Sequence, residues 1–164
     1  MIGIIDYGVA GNIYNIKRAI QKVESNVEII TSKEQLKNVD KLILPGVGSF
    51  KDAIVELMNK NLFNELKKEI VAKPTLGICL GMQILNKIGF EYGVSEGLNI
   101  VNGEVRKMDV FPIPHLGFNK LNILNPFHSF KVYFFSAVIT FLFYPFYLIS
   151  CSFYHNLPTT RTIG

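Results

Sequence analysis

The residues with most to say about chemistry are Gly77-Ile78-Cys79-Leu80-Gly81-Met82-Gln83. One thiol stands between two glycines, each two positions away. Before it lies the run Pro74-Thr75-Leu76, and after it the periodic stretch Ile84-Leu85-Asn86-Lys87-Ile88. That order predicts a sharp strand-to-helix turn presenting an exposed nucleophile. Glycine is needed because a side chain would block the tight backbone or an arriving substrate. A helix start favours the thiolate, the nucleophilic form, because its first N–H groups lack partners within the helix. A buried, unreactive cysteine is the plainer reading, but it gives the paired glycines no reason to be there.

Two further glycine-bearing segments follow apolar runs: Pro45-Gly46-Val47-Gly48-Ser49-Phe50, and Asp6-Tyr7-Gly8 with Gly11-Asn12. The first lacks the lysine and spacing of a phosphate-binding loop. His115, His128 and His155 have no paired Cys, Asp or Glu at ligand spacing, so neither a metal nor another cofactor is expected.

Four short apolar runs bounded by turn residues read as buried parallel strands: residues 2–5, 27–30, 41–44 and 75–78. Helical patterns fall at residues 13–23, 50–59, 62–71 and 80–89, and a later strand is expected near 104–108. This alternation predicts an α/β fold: an open, mostly parallel sheet flanked by helices, with functional loops at the strand C-terminal ends. Asp6-Tyr7-Gly8, residues 45–48 and Cys79 all fall at such ends, on one edge of one sheet.

A chain of 164 residues suffices for one domain with a real core. Its two cysteines, Cys79 and Cys151, do not form a disulfide framework, so a reducing compartment is expected. No basic region precedes the apolar start Ile2-Gly3-Ile4-Ile5. No secretory signal is therefore expected, and the expected location is cytoplasmic. Charge divides the chain. Residues 1–109 hold 14 of the 17 Lys and Arg and all 13 Asp and Glu; residues 110–164 hold Lys120, Lys131, Arg161 and no acid. The net charge of +4 thus reflects acids missing from the tail, not a basic patch suited to nucleic acid.

From Val132 to Tyr154 there are 23 residues without a charge, and 12 of the 20 aromatics lie between Phe127 and Tyr154. No clean period of two or 3.6 runs through them. The length permits a membrane helix, while Pro145, Ser136, Thr140, Ser150 and Ser152 dilute the run and argue against one. Three readings stand: a membrane anchor, a core-forming part of the same domain, and a degraded tail such as out-of-frame translation of an AT-rich gene. The last would yield many Phe, Tyr, Leu, Ile, Asn and Lys residues and abolish periodicity.

Taken in order, four segments resemble the motifs of class I glutamine amidotransferases. They are residues 1–8 with Gly11-Asn12; Leu44-Pro45-Gly46-Val47-Gly48-Ser49-Phe50; residues 77–83; and Pro114-His115-Leu116-Gly117-Phe118-Asn119. More narrowly, they resemble the glutaminase subunit of imidazole glycerol phosphate synthase. The resemblance covers residues 1 to about 119, so an amidotransferase core at 1–119 and a divergent apolar tail at 120–164 are expected. It implies a flavodoxin-like fold and a cytoplasmic enzyme of histidine biosynthesis. Such an enzyme takes ammonia from glutamine and passes it to a barrel-shaped cyclase partner that forms imidazole glycerol phosphate. Relatives supply other acceptors, including sugars of bacterial surface glycans.

Cys79 would attack the glutamine side-chain amide and form a thioester. The oxyanion needs backbone donors. Leu80 N–H, just after the nucleophile, is one candidate and Val47 N–H the other; losing such a donor typically costs about 2.7–4 kcal/mol of transition-state stabilisation. Gly46 and Gly48 are expected on the substrate side, with an ordinary loop after a strand as the alternative. Gln83, one turn past Cys79, is implied to bind substrate; a solvated helix residue is the alternative. The resemblance implies that Asn12, Phe118 and Asn119 face the partner, and it puts His115 in that same structural segment. Plain capping and turn chemistry would also account for Asp6, Tyr7, Gly11 and Asn12.

The family completes its site with a late His-Pro-Glu motif. None occurs here, and no Asp or Glu follows Asp109, so the acid that orients the base cannot come from residues 110–164. His128, in Phe127-His128-Ser129-Phe130, and His155, before Asn156, remain as candidate bases. A Cys-His-Asn set is chemically sound, though His155 lacks a strand-loop context. Triad residues act as a unit, so the expectation is a truncated or frame-shifted glutaminase subunit with an intact nucleophile half and impaired catalysis. Two other classes stay open: a non-catalytic binding module, and a membrane-attached or surface-sugar-amidating variant.

Overall fold

The computed structural model describes residues 1–8 and 13–106, and the backbone of 132–135. Four short strands make the main sheet: β1 (Ile2–Ile5), β2 (Val27–Ile30), β3 (Lys41–Leu44) and β4 (Thr75–Ile78). These are the residues expected from the apolar runs. All pair in parallel, with Ile2 opposite both Val27 and Lys41, and Leu42 opposite Thr75. Successive strand residues face opposite sides of the sheet. Ile5, Ile30, Leu42 and Leu44 accordingly enter one core cluster, while Ile4, Val27 and Ile43 enter the other. Burial of each such aliphatic side chain stabilises the fold by about 1.5–3 kcal/mol.

The helices close over those faces. α1 (Ile13–Ile20) brings Ile13, Ile16 and Ile20 to the second cluster and ends three residues short of the expected 13–23. α2 (Lys33–Lys37) was not expected from periodicity. It is held by a capping box in which Gln35 N–H donates to Ser32 Oγ and Ser32 N–H to Gln35 Oε1. α3 (Phe50–Asn59) is capped by Ser49 and buries Phe50, Ala53, Ile54 and Leu57, the i, i+3, i+4, i+7 face. α4 (Phe63–Ala72) buries Leu66 and Ile70.

One expectation fails here. The helix foreseen over 80–89 is α5 (Leu80–Gln83), a single turn, and a strand, β5 (Asn86–Gly89), follows it. Asn86 is fully buried, and its Nδ2 donates to the carbonyls of Met82 and Gln83 at 3.3 and 3.0 Å. The side chain thereby satisfies carbonyls that a continuing helix would have needed. β5 pairs antiparallel with β6 (Ser95–Glu96) and parallel with β7 (Val101–Val105), forming a second, three-stranded sheet. β7 is the late strand, placed three residues before the expected 104–108.

A last strand, β8 (Val132–Phe135), joins the main sheet in parallel beside β4, with Val132 opposite Thr75 and Phe135 opposite Ile78. The main-sheet order is therefore β2-β1-β3-β4-β8. The rest of the apolar tail lies outside the described residues, and with it His128, Cys151 and His155. No helix among the described residues is long and apolar enough to cross a membrane.

Candidate active site

Cys79 follows β4 directly, with φ 52° and ψ −112°. A positive φ is unfavourable for a residue with a Cβ and persists only when its surroundings enforce it. The surroundings here are glycines packed against backbone. A Cβ on Gly81 would run into the carbonyl of Leu44 at the end of β3. One on Gly77 would lie 2.8 Å from the Cα of Met82, and one on Gly46 would lie 2.6 Å from the Gly81 nitrogen. The loops after β3 and β4 thus meet closely, with Gly46 against Leu80 and Gly81 and no room for a further Cβ at either glycine.

That contact gathers Gly46, Val47, Gly48, Cys79 and Leu80 at one end of the sheet. Val47 is 58 % exposed, Leu80 is buried, and Gly48 takes φ 131°. Gln83 is only 6 % exposed, so it is not a solvated helix residue. Asn12, Phe118, Asn119 and His115 lie outside the described residues.

The electrostatics depart from the simple helix-start expectation. Cys79 opens to solvent as a residue, yet protein atoms crowd its sulfur. That desolvation pushes the thiol pKa above its ordinary value, and the Glu91 carboxylate adds to the rise. The Leu80 N–H, hydrogen-bonded to the sulfur, pulls it down by less. A one-turn helix supplies too little aligned backbone to reverse the balance.

Sequence reasoning passed over Glu91. It is 8 % exposed and accepts the Phe50 N–H at 2.7 Å, fastening the start of α3 just beyond the 45–49 loop. Burial raises its pKa, the Phe50 N–H lowers it, and Asp52 raises it again. The only signal in the sequence is an acid between the aromatic residues Phe90 and Tyr92. Tyr7, in the strand-end loop where plain turn chemistry is one of the readings, has a fully buried side chain. Next to it, Asp6 is tied to the end of α3: Lys60 Nζ donates to Asp6 O at 2.8 Å and lies 3.6 Å from Asp6 Oδ1. No group of three or more potential metal ligands occurs among the described residues.

A thiol on a strained turn, with a backbone N–H on its sulfur and the glycine-flanked Val47 loop beside it, suits attack on a small planar carbonyl group. Comparison with known proteins identifies the family. The family described as glutamine amidotransferase class-I matches residues 4–119. The chain is 43 % identical over 129 residues to imidazole glycerol phosphate synthase subunit HisH 1 of Campylobacter jejuni strain RM1221, covering 76 % of this chain and 64 % of that one. It is 46 % identical over 125 residues to the HisH subunit of Caldanaerobacter subterraneus subsp. tengcongensis, covering 75 % and 61 %. It therefore spans less than two thirds of the length of these relatives. A crystal structure of a glutamine amidotransferase shares the fold, with TM-score 0.55 and 21 % identity over 64 % of this chain and 56 % of that chain. The matched stretch runs through β1, the loop after β3 and the Cys79 turn, and on that match the chain belongs to the class I glutamine amidotransferase family.

Proposed function

We propose that this chain is the glutaminase subunit of an imidazole glycerol phosphate synthase. In this reading it releases ammonia from glutamine through a thioester on Cys79 and hands it to a cyclase partner in histidine biosynthesis, in the cytoplasm. The similarity to HisH subunits supports the assignment. The observation that carries the chemistry is the Cys79 turn at φ 52°, packed against the Gly46 loop.

The Cys79 thiolate attacks the carboxamide carbon of glutamine. The Leu80 N–H, with the Val47 N–H, holds the oxyanion. The C–N bond breaks as the nitrogen takes a proton and leaves as ammonia, and water then cleaves the thioester to glutamate and free thiol. Gly46, Gly48 and Gln83 line the substrate side. The buried Glu91 carboxylate adds negative charge suited to the ammonium group of an amino-acid substrate. Asn12, Phe118 and Asn119 face the cyclase. No acid follows Asp109 in these 164 residues, so residues 110–164 offer no carboxylate to orient a histidine base. The same observation favours a second reading, a module that binds the cyclase without chemistry.

The test is glutamate production from glutamine, with and without the cyclase, against Cys79→Ala. Glutamate that depends on Cys79 and rises with the cyclase supports the assignment. Equal glutamate from Cys79→Ala overturns it. No turnover together with cyclase binding that survives Cys79→Ala selects the binding module.

A further inference from the structure

Tyr7 heads the fully buried side chains by volume, and it shares one core cluster with Leu44, Phe50, Leu57 and Leu80. Its hydroxyl nevertheless has no hydrogen-bond partner among the described residues. Buried tyrosine hydroxyls ordinarily have one, and an orphan calls for an explanation. Topology supplies it. β3 lies between β1 and β4, so Tyr7 after β1 and Cys79 after β4 stand at the same end of the sheet with the Gly46 loop after β3 between them, and Tyr7 shares its core cluster with Leu80, the residue next to Cys79. The phenol lies near enough to Cys79 for a thiolate there to raise its pKa, on top of the larger rise from burial.

We propose that the Tyr7 hydroxyl is a hydrogen-bond donor held for the Cys79 thiolate, reaching the anionic sulfur directly or through one water when that anion forms. The inference rests on Cys79 being the nucleophile. Tyr7 transfers no proton in this role. Burial and the negative sulfur both keep the phenol protonated, and a phenol that keeps its proton remains a donor. The contact offsets the crowding and the Glu91 charge that disfavour the thiolate. The other charges nearby are Asp52, which acts on Glu91, the Asp6–Lys60 pair beside Tyr7, and Glu56, whose carboxylate lies against Gly8. Tyr7→Phe leaves each of these side chains in place, so parent and variant differ only in the hydroxyl.

The experiment compares the full chain with Tyr7→Phe. Iodoacetamide modification of Cys79 is followed by peptide mass spectrometry across pH, alongside thermal melts. Loss of a hydrogen bond to a charged group should move the alkylation profile to higher pH and slow modification at pH 7 about tenfold. The melting temperature should hold or rise, since an unmet hydroxyl is removed. Superimposable pH profiles overturn the proposal. So does a Tyr7→Phe chain that melts lower or fails to fold, because the hydroxyl would then serve a structural partner. Alkylation needs no glutamine, so this failure is distinct from failure of the glutaminase assignment.

Discussion

Ile4, Ile5 and Leu44, in the body of the main sheet, are fully buried among other aliphatic side chains, and their backbones pair in a regular parallel ladder. A few residues further along, the same strands end in features that are each unfavourable alone. Cys79 takes a positive φ and Tyr7 keeps a buried hydroxyl with no described partner, while Glu91, reaching the same region from beyond β5 of the second sheet, keeps a carboxyl in a buried position. Such features cost on the order of 1–3 kcal/mol each. The sheet body offsets them with aliphatic burial worth about 1.5–3 kcal/mol per side chain. The contrast separates what holds the chain together from what it holds ready: the body carries stability, and the edge carries strain where a nucleophile has to be exposed.

Substitutions can break that contrast or sharpen it. The largest effect is expected from Gly81→Val, which drives a branched side chain into the Leu44 carbonyl. Backbone cannot yield as a flexible side chain does, so no folded protein is expected by circular dichroism; a stable, folded variant would break the account of the elbow. Ile5→Ala comes next. It should lose about 2–5 kcal/mol in urea unfolding while leaving the pH profile of Cys79 alkylation in place. If that profile moved, body and edge would not be separable.

Glu91→Gln should act in the opposite sense, on the thiol more than on the fold. Removing the carboxylate charge that raises the Cys79 pKa should speed alkylation several-fold near neutral pH, while the glutamine oxygen can still accept the Phe50 N–H. The sign for stability follows from the raised pKa of Glu91. Its favourable contribution is present below the ordinary carboxylate range and is lost as pH rises through its folded value. Urea unfolding of Glu91→Gln should therefore gain on the parent as pH rises; a variant that loses ground instead would contradict it.

The smallest effect belongs to Asp40, exposed and paired with the Met1 amine at 2.7 Å. That amine lowers its pKa. Its contribution is thus present above the ordinary carboxylate range and fades as pH falls through the lowered value. Asp40→Asn should leave the melting temperature at pH 7 within error, and a large drop would show a surface pair carrying weight assigned here to the core.

What could be read ahead of the structure divides along similar lines. β1 to β4 were legible because four-residue apolar runs between turn residues admit few alternatives, and α3 because Phe50, Ala53, Ile54 and Leu57 keep one face. The Cys79 elbow was legible from glycine spacing. β5 was not, because Ile84-Leu85-Asn86-Lys87-Ile88 suits a helix or a strand until the Asn86 side chain and the distant partner Val101 decide it. Glu91 was invisible because its partner, the Phe50 N–H, lies 41 residues away. Gly46 looked like a turn residue; its reason is the close approach to Leu80 and Gly81, a contact between two loops.

The most direct measurement of the central claim uses a diazoketone analogue of glutamine that traps a reactive thiol in a substrate pocket. The folded chain is incubated with it and the adduct mapped by mass spectrometry. The account predicts one adduct, on Cys79, prevented by excess glutamine and absent from Cys79→Ala. An adduct that glutamine does not block, or labelling of Cys151 with Cys79 untouched, would contradict it.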